Sequence, residues 1–112
     1  MASRDKELAR QLRQLLDPRP GWSLQPQATP GLPAMWCFGP GGRARLGAGV
    51  DAGELSVYLE DLDRDLRFAD VTGLAAWLDA NESLFAGPHA PGAEDFDLLL
   101  RRRFEEWRHA AT

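Results

Sequence analysis

Three aspartates stand at every second position of one short segment, as Asp61, Asp63 and Asp65. Carboxylates at this spacing form the first part of a calcium-binding loop, where hard oxygen ligands converge on one cation. The rest of that pattern is missing, because Leu66 stands where the loop needs glycine and Thr72 stands where it needs a bidentate glutamate. The segment is therefore predicted to be a solvated acidic hairpin turn and not a metal site.

The other candidates for catalysis or phosphate binding are equally incomplete. The glycine-rich segment 39–42 is followed by neither a Lys-Ser or Lys-Thr pair nor a helix start, so it predicts a hairpin turn. His89 and His109 are too few for a metal site, and neither has a serine or cysteine nearby in the sequence to activate. The single cysteine, Cys37, cannot form an internal disulfide and is predicted to be a buried core thiol in a reducing compartment. We therefore expect no metal, no cofactor and no catalysis.

Three consecutive arginines near the carboxyl end would suit a nucleic-acid patch, but their helical phase separates them. At about 3.6 residues per turn, Arg101 and Arg102 each face a glutamate one turn later, which is typical of a solvated helical face. Arg103 instead projects into an apolar stripe that includes Trp107. We expect Arg103 to be more buried than the other two and to contact Trp107 or a carboxylate, of this chain or of a partner.

Composition and charge describe one soluble globular domain over residues 1–112. The chain is 44% hydrophobic and 27% charged, and its net charge of -4 argues against a protein that mainly neutralises phosphate. No segment has the apolar core of a signal peptide or approaches the ~20 apolar residues that span a bilayer, so we expect a cytoplasmic protein without a membrane association. One lysine against twelve arginines, and no isoleucine, indicate a high-GC bacterial source.

The spacing of apolar residues predicts three helices. The first covers residues 3–16 and ends before two closely spaced prolines, which remove backbone donors. The second begins at Thr72 with Asp70 or Thr72 as its cap and ends near Asn81. The third covers residues 94–109.

Between the first two helices the period changes to two, which predicts a meander of three to four antiparallel strands. The fold class is therefore α+β, with an N-terminal helix, the sheet and two C-terminal helices. The predicted core consists of the residues with the cleanest periodicity: Leu55, Val57, Leu59, Leu74, Trp77 and Leu78.

Residue parity predicts a second face of this sheet that is rich in aromatic and cationic side chains. If the alternating apolar residues of the two central strands share the core face, Gly47 lies opposite Tyr58 and Arg45 lies opposite Glu60. Continuing the same parity through segment 39–42 places Cys37 with the core. The second face then carries Trp36, Phe38, Arg45, Tyr58 and Arg67.

Three arrangements of this second face are compatible with the pattern. A helix covers it, or a bulge at the glycines turns Trp36 and Phe38 inward, or the face is an exposed recognition surface. The last arrangement is attractive because Trp, Tyr and Arg dominate the hot spots of protein interfaces.

We therefore expect a non-catalytic protein-interaction module of the chaperone, immunity or adaptor kind, which binds another protein through this aromatic and arginine face. The alternative is a single-stranded nucleic-acid or small-ligand binding protein that stacks its ligand on the same side chains. The negative net charge favours the first hypothesis.

Overall fold

The computed structural model describes residues 3–25, 35–40, 44–86 and 94–111. Its elements follow in the order α1 (Ser3–Leu16), β1 (Trp22–Gln25), β2 (Met35–Phe38), β3 (Leu46–Asp51), β4 (Glu54–Leu59), β5 (Arg64–Phe68), α2 (Val71–Asn81), a short 3₁₀ helix (Glu82–Phe85) and α3 (Glu94–Ala111). The predicted α+β order is confirmed. The sheet has five strands instead of three to four, because β1 precedes the strands that the alternation predicted.

The strands form an antiparallel meander in sequence order, with β3 in the centre. The register between β3 and β4 is the predicted one, with Gly47 opposite Tyr58. A two-residue turn sets this register, because Ala52 and Gly53 both have positive φ (51° and 80°), as a type I′ hairpin requires.

The connection between β2 and β3 does not follow the predicted parity. Phe38 pairs with Leu46, and its carbonyl oxygen also accepts a 2.8 Å hydrogen bond from the N–H of Arg45. Two consecutive residues therefore face Phe38, which is a β-bulge, and the bulge moves every β2 side chain to the opposite face. Trp36 and Phe38 are buried at 5% and 2% exposure, so the prediction that they share a face with Tyr58 is wrong.

Three helices cover one face of the sheet, which we call the inner face. Helix α1 packs on β3 and β4, whereas α2 and α3 pack on β5. Helix α2 begins at Val71, one residue before the predicted start, and its cap is Asp70, one of the two predicted candidates, whose side chain accepts a 2.9 Å hydrogen bond from the N–H of Gly73. All six predicted core residues are buried in one cluster with the apolar side of each helix.

Helix α3 buries a stripe that differs from the predicted one at Arg103. The stripe runs through Phe96, Leu100, Phe104 and Trp107. Arg103 is exposed like the two arginines before it, because it lies at the edge of the stripe and its long side chain extends into water. The cation that lies over an aromatic ring of α3 comes from the sheet, since the Arg64 guanidinium is 4.6 Å from the Phe104 ring centroid. Within the described ranges, no helix has the length and apolarity needed to cross a membrane.

Candidate functional site

The structure divides the five residues of the predicted site between two environments. Trp36 and Phe38 lie on the inner face, and Arg45 lies in the bulge at 6% exposure. Only Tyr58 and Arg67 lie on the opposite face, where both are half-buried. The partner-binding role of all five stays a prediction, but the three buried residues offer a partner almost no surface.

The face opposite the helices, which we call the outer face, carries the side chains that alternate away from the core. Its residues that matter here are Met35, Cys37, Gly47, Glu54, Ser56, Tyr58, Asp65 and Arg67.

Arg45 is held by a buried ion pair. Its Nε and Nη2 atoms each lie 2.9 Å from Asp61 Oδ2, and the two side chains are 8% and 5% exposed. The guanidinium also lies 5.3 Å from the ring centroid of Phe96 on α3. This contact joins the bulge, the β4–β5 turn and α3, so Asp61 does not belong to a solvated acidic turn as predicted. Arg45 therefore has a structural role in the fold.

The other two aspartates of the triple contact different partners. Asp63, at a left-handed φ of 53°, accepts a hydrogen bond from the Tyr58 hydroxyl. Asp65 Oδ2 accepts a 2.9 Å hydrogen bond from Arg67 Nε. The three carboxylates thus diverge, and no group of three potential ligands is placed to hold a metal ion anywhere in the described part of the chain.

Arg67 connects the two ends of the outer face. Its Nη2 atom lies 2.8 Å from Asp51 Oδ2, at the β3–β4 turn, and its Nε atom bonds Asp65 in its own strand. The Arg67 side chain is 40% exposed, so this network contributes little to folding stability. Its main effect is to neutralise Arg67 and to fix the direction of its side chain.

The phenol and the thiol of the outer face both have raised pKa values. The hydrogen bond to Asp63, partial burial and the charges of Asp63 and Glu60 raise the pKa of Tyr58 to about 12. Burial, followed by the charge of Glu60, raises the pKa of the Cys37 thiol. Cys37 is half-buried on the outer face, so its predicted place in the core is wrong. The bulge that turns Trp36 and Phe38 inward is the reason.

Gly47, a residue of the central strand, lies in the middle of the outer face and is buried between its neighbours. A Cβ atom at this position would lie 3.7 Å from Met35 Sδ and 3.7 Å from Tyr58 Cβ, which is ordinary contact. The backbone of Gly47 is therefore flanked closely by two large side chains. Met35 is 51% exposed and was missed by the sequence analysis, because parity had assigned its neighbour Trp36 to this face.

Two clefts lie elsewhere on the described surface. One, of about 390 Å³, contains Arg19 and Glu82, but these bond each other at 3.1 Å and Glu82 also accepts a 2.8 Å bond from Trp22 Nε1. The other, of about 360 Å³, lies between Arg64 and Arg101 beside α3. In the first cleft the polar groups satisfy one another. In the second, Asp61 is paired with Arg45 and the Arg64 guanidinium lies over the Phe104 ring, so we take the outer face as the candidate site.

The remaining sequence candidates do not contribute to this face. His109 lies exposed on α3, whereas His89 and the glycines of the predicted turn at 41 and 42 lie outside the described residues. Comparison with protein-family models, with curated proteins and with solved structures found no match to this chain.

Proposed function

We propose that this protein is a non-catalytic interaction module that binds another protein through the outer face, around Met35, Gly47 and Tyr58. The observation that carries the proposal is the position of Gly47. It lies in the central strand, on the face opposite the three helices, and between two large side chains that are not packed into the core.

A glycine at this position is costly for the fold. Glycine loses more backbone entropy on folding than other residues, and it offers no side chain to pack in a strand. A Cβ would fit here without a steric conflict, so the sheet itself does not require glycine. A glycine in a strand interior is typical of places where a ligand or another backbone approaches closely.

The side chains around Gly47 are of the types that interfaces use. Met35 offers an adaptable apolar surface, and Tyr58 offers an aromatic ring with a hydroxyl group. Arg67 stands next to them in a fixed direction. Together they give an apolar centre with a polar border, which is the usual organisation of a protein interface.

The chemistry of the same face supports binding and not turnover. The raised pKa values of Cys37 and Tyr58 keep the thiol and the phenol protonated at neutral pH. A protonated thiol is a poor nucleophile, and a phenol that ionises near pH 12 is a poor general base. The unpaired thiol also supports a location in the reducing cytoplasm.

The test is the affinity for the protein that co-purifies with the full chain from its source, measured by calorimetry with both proteins purified. We expect Tyr58→Ala to weaken binding by about 2 kcal/mol or more and Met35→Ala by a smaller amount. Leu98→Ala is the matched control, because Leu98 is an equally exposed apolar residue, at 58%, but lies on α3. Unchanged affinity in both outer-face variants would overturn the proposal.

A further inference from the structure

We propose that the partner presents a basic segment to the outer face, with Lys or Arg side chains directed at the carboxylates along β4 and the β4–β5 turn. This inference rests on the proposed function and specifies the chemistry of the partner. It comes from the distribution of charge over the two sides of the molecule.

The described residues of the outer face and its border carry five carboxylates and one cation. The cation is Arg67, and the carboxylates are Asp51, Glu54, Glu60, Asp63 and Asp65. Asp51 and Asp65 share the single positive charge of Arg67, so these three residues together keep one net negative charge. The other three negative charges belong to the two glutamates and Asp63.

The two glutamates lie on either side of Tyr58 along one strand direction. Glu54, Ser56, Tyr58 and Glu60 stand at alternate positions, and Glu60 continues the ladder through a 3.1 Å bond from its N–H to the carbonyl oxygen of Arg45. At about 3.4 Å per residue, this row of outward side chains extends roughly 20 Å. Both glutamates are exposed, and neither forms an ion pair with another described residue.

An extended basic segment matches this row in both period and charge. Alternate side chains of an extended chain point in one direction with the same repeat. Tyr58 lies in the same row, and its ring favours a cation near its face.

The raised pKa values of Tyr58 and Cys37 agree with the negative character of the face. Glu60 contributes to the raised pKa of both Tyr58 and Cys37, which lie on different strands. Its charge therefore acts across the centre of the face. A cation bound here would relieve that effect.

The exposed cations of the last helix lie elsewhere. Arg101, Arg102, Arg103 and Arg108 are exposed on α3, which packs on the inner face. These arginines share α3 with the exposed carboxylates of Glu105 and Glu106, so α3 is a surface of mixed charge, whereas the outer face carries mainly carboxylates.

The experiment uses the full chain and a short peptide of alternating arginine and alanine, with the same peptide carrying glutamate for arginine as the comparison. Backbone amide shifts are followed by NMR during titration at low salt. We expect shifts of the amides around Gly47, Tyr58 and Glu60 with the arginine peptide, none with the glutamate peptide, and weaker binding as salt is raised.

Charge reversal with a matched control decides whether the position of the charge matters. The double variant Glu54→Lys and Glu60→Lys should lower the affinity for the arginine peptide about tenfold or more. The double variant Glu105→Lys and Glu106→Lys on α3 changes the net charge by the same amount and should lower the affinity for the peptide much less. The affinity of the neutral double variant Glu54→Gln and Glu60→Gln should lie between those of the wild type and the first double variant.

Several results would overturn the inference. These are no binding of the arginine peptide, equal binding of the glutamate peptide, equal losses in the two charge-reversal variants, or a polynucleotide that competes with the peptide for the outer face. A natural partner that depends on Tyr58 but ignores the charge reversal would overturn the inference alone. A natural partner that ignores Tyr58 would overturn the proposed function as well.

Discussion

Neighbouring positions of the same strands face two different surroundings. On the inner face, Val57 and Leu66 pair across β4 and β5 and are almost fully buried. On the outer face, one step further along the same strands, Tyr58 pairs with Asp65 and both remain accessible. Burial of apolar surface accounts for the residues of the inner face. It does not account for an exposed methionine, a central glycine and a row of glutamates, so those residues need another explanation.

The largest expected difference between the two faces lies in their ion pairs. Asp61→Ala leaves Arg45 as an uncompensated buried charge and should lower the free energy of unfolding by about 3–5 kcal/mol. Asp65→Ala removes an exposed partner of Arg67 and should cost about 0–1 kcal/mol. Denaturant unfolding of the two variants measures both values. Similar losses would contradict the distinction between a structural pair and a surface pair.

The next largest difference is expected from truncating neighbouring side chains of β4. Leu59→Ala should destabilise the fold by about 2–5 kcal/mol and Val57→Ala by somewhat less, since both are fully buried. Tyr58→Ala, between them on the outer face, should cost about 1 kcal/mol or less. If Tyr58→Ala were as costly as Leu59→Ala, the outer face would be part of the core and no binding surface.

The cap of α2 tests how the inner face is covered. Asp70→Ala removes the acceptor of the Gly73 N–H and should cost about 1 kcal/mol. Thr72→Ala is the control, because Thr72 is exposed inside the helix and alanine is the better helix former, so stability should stay equal or rise slightly. Thermal or denaturant unfolding distinguishes the two variants. A larger loss of stability in Thr72→Ala than in Asp70→Ala would show that Asp70 is not the cap.

The smallest effect concerns the titration of Tyr58, the only tyrosine of the chain. Its pKa of about 12 in the folded protein exceeds the unfolded value of 10.0, so folding favours the protonated phenol. This contribution to stability is complete below pH 10 and disappears as the pH rises through about 12. Asp63→Asn keeps the left-handed backbone but removes the charge, and should move the pKa toward 10 in an ultraviolet titration. A native pKa near 10 that does not respond to Asp63→Asn would contradict the contact.

The sequence predicted correctly those features that are determined by residues close together in the chain. The prolines after α1, the cap at Asp70 and the two-residue turn between β3 and β4 are local signals, so these boundaries and the register at Gly47 could be predicted. The six core residues followed from periodicity within single elements.

The parts that could not be predicted depend on distant contacts. A bulge that turns Trp36 and Phe38 inward was one of the three arrangements that the glycine-rich segment allowed, and it is the one found. The local pattern did not select it, because the bulge at Arg45 accompanies a buried pair with Asp61, sixteen positions later. One extra residue at the start of β3 reverses the face of every side chain in β2. The predicted parity did not include this residue, so it assigned Trp36, Phe38 and Cys37 to the wrong faces. Tyr58 and Arg67 were assigned to the correct face because they lie after the bulge.

Gly47→Ala tests the central claim most directly, because its Cβ would lie at ordinary contact distance from Met35 and Tyr58 on the outer face and would remove no contact of the core. Alanine loses less backbone entropy on folding than glycine, and its methyl group would stand where a partner's backbone is expected to approach. We predict that the free energy of unfolding stays equal or rises, while the affinity for the purified partner falls at least tenfold, or about 1.4 kcal/mol. An unchanged affinity with a correctly folded variant would contradict the account, because a partner that tolerates a side chain at this position does not approach the backbone there.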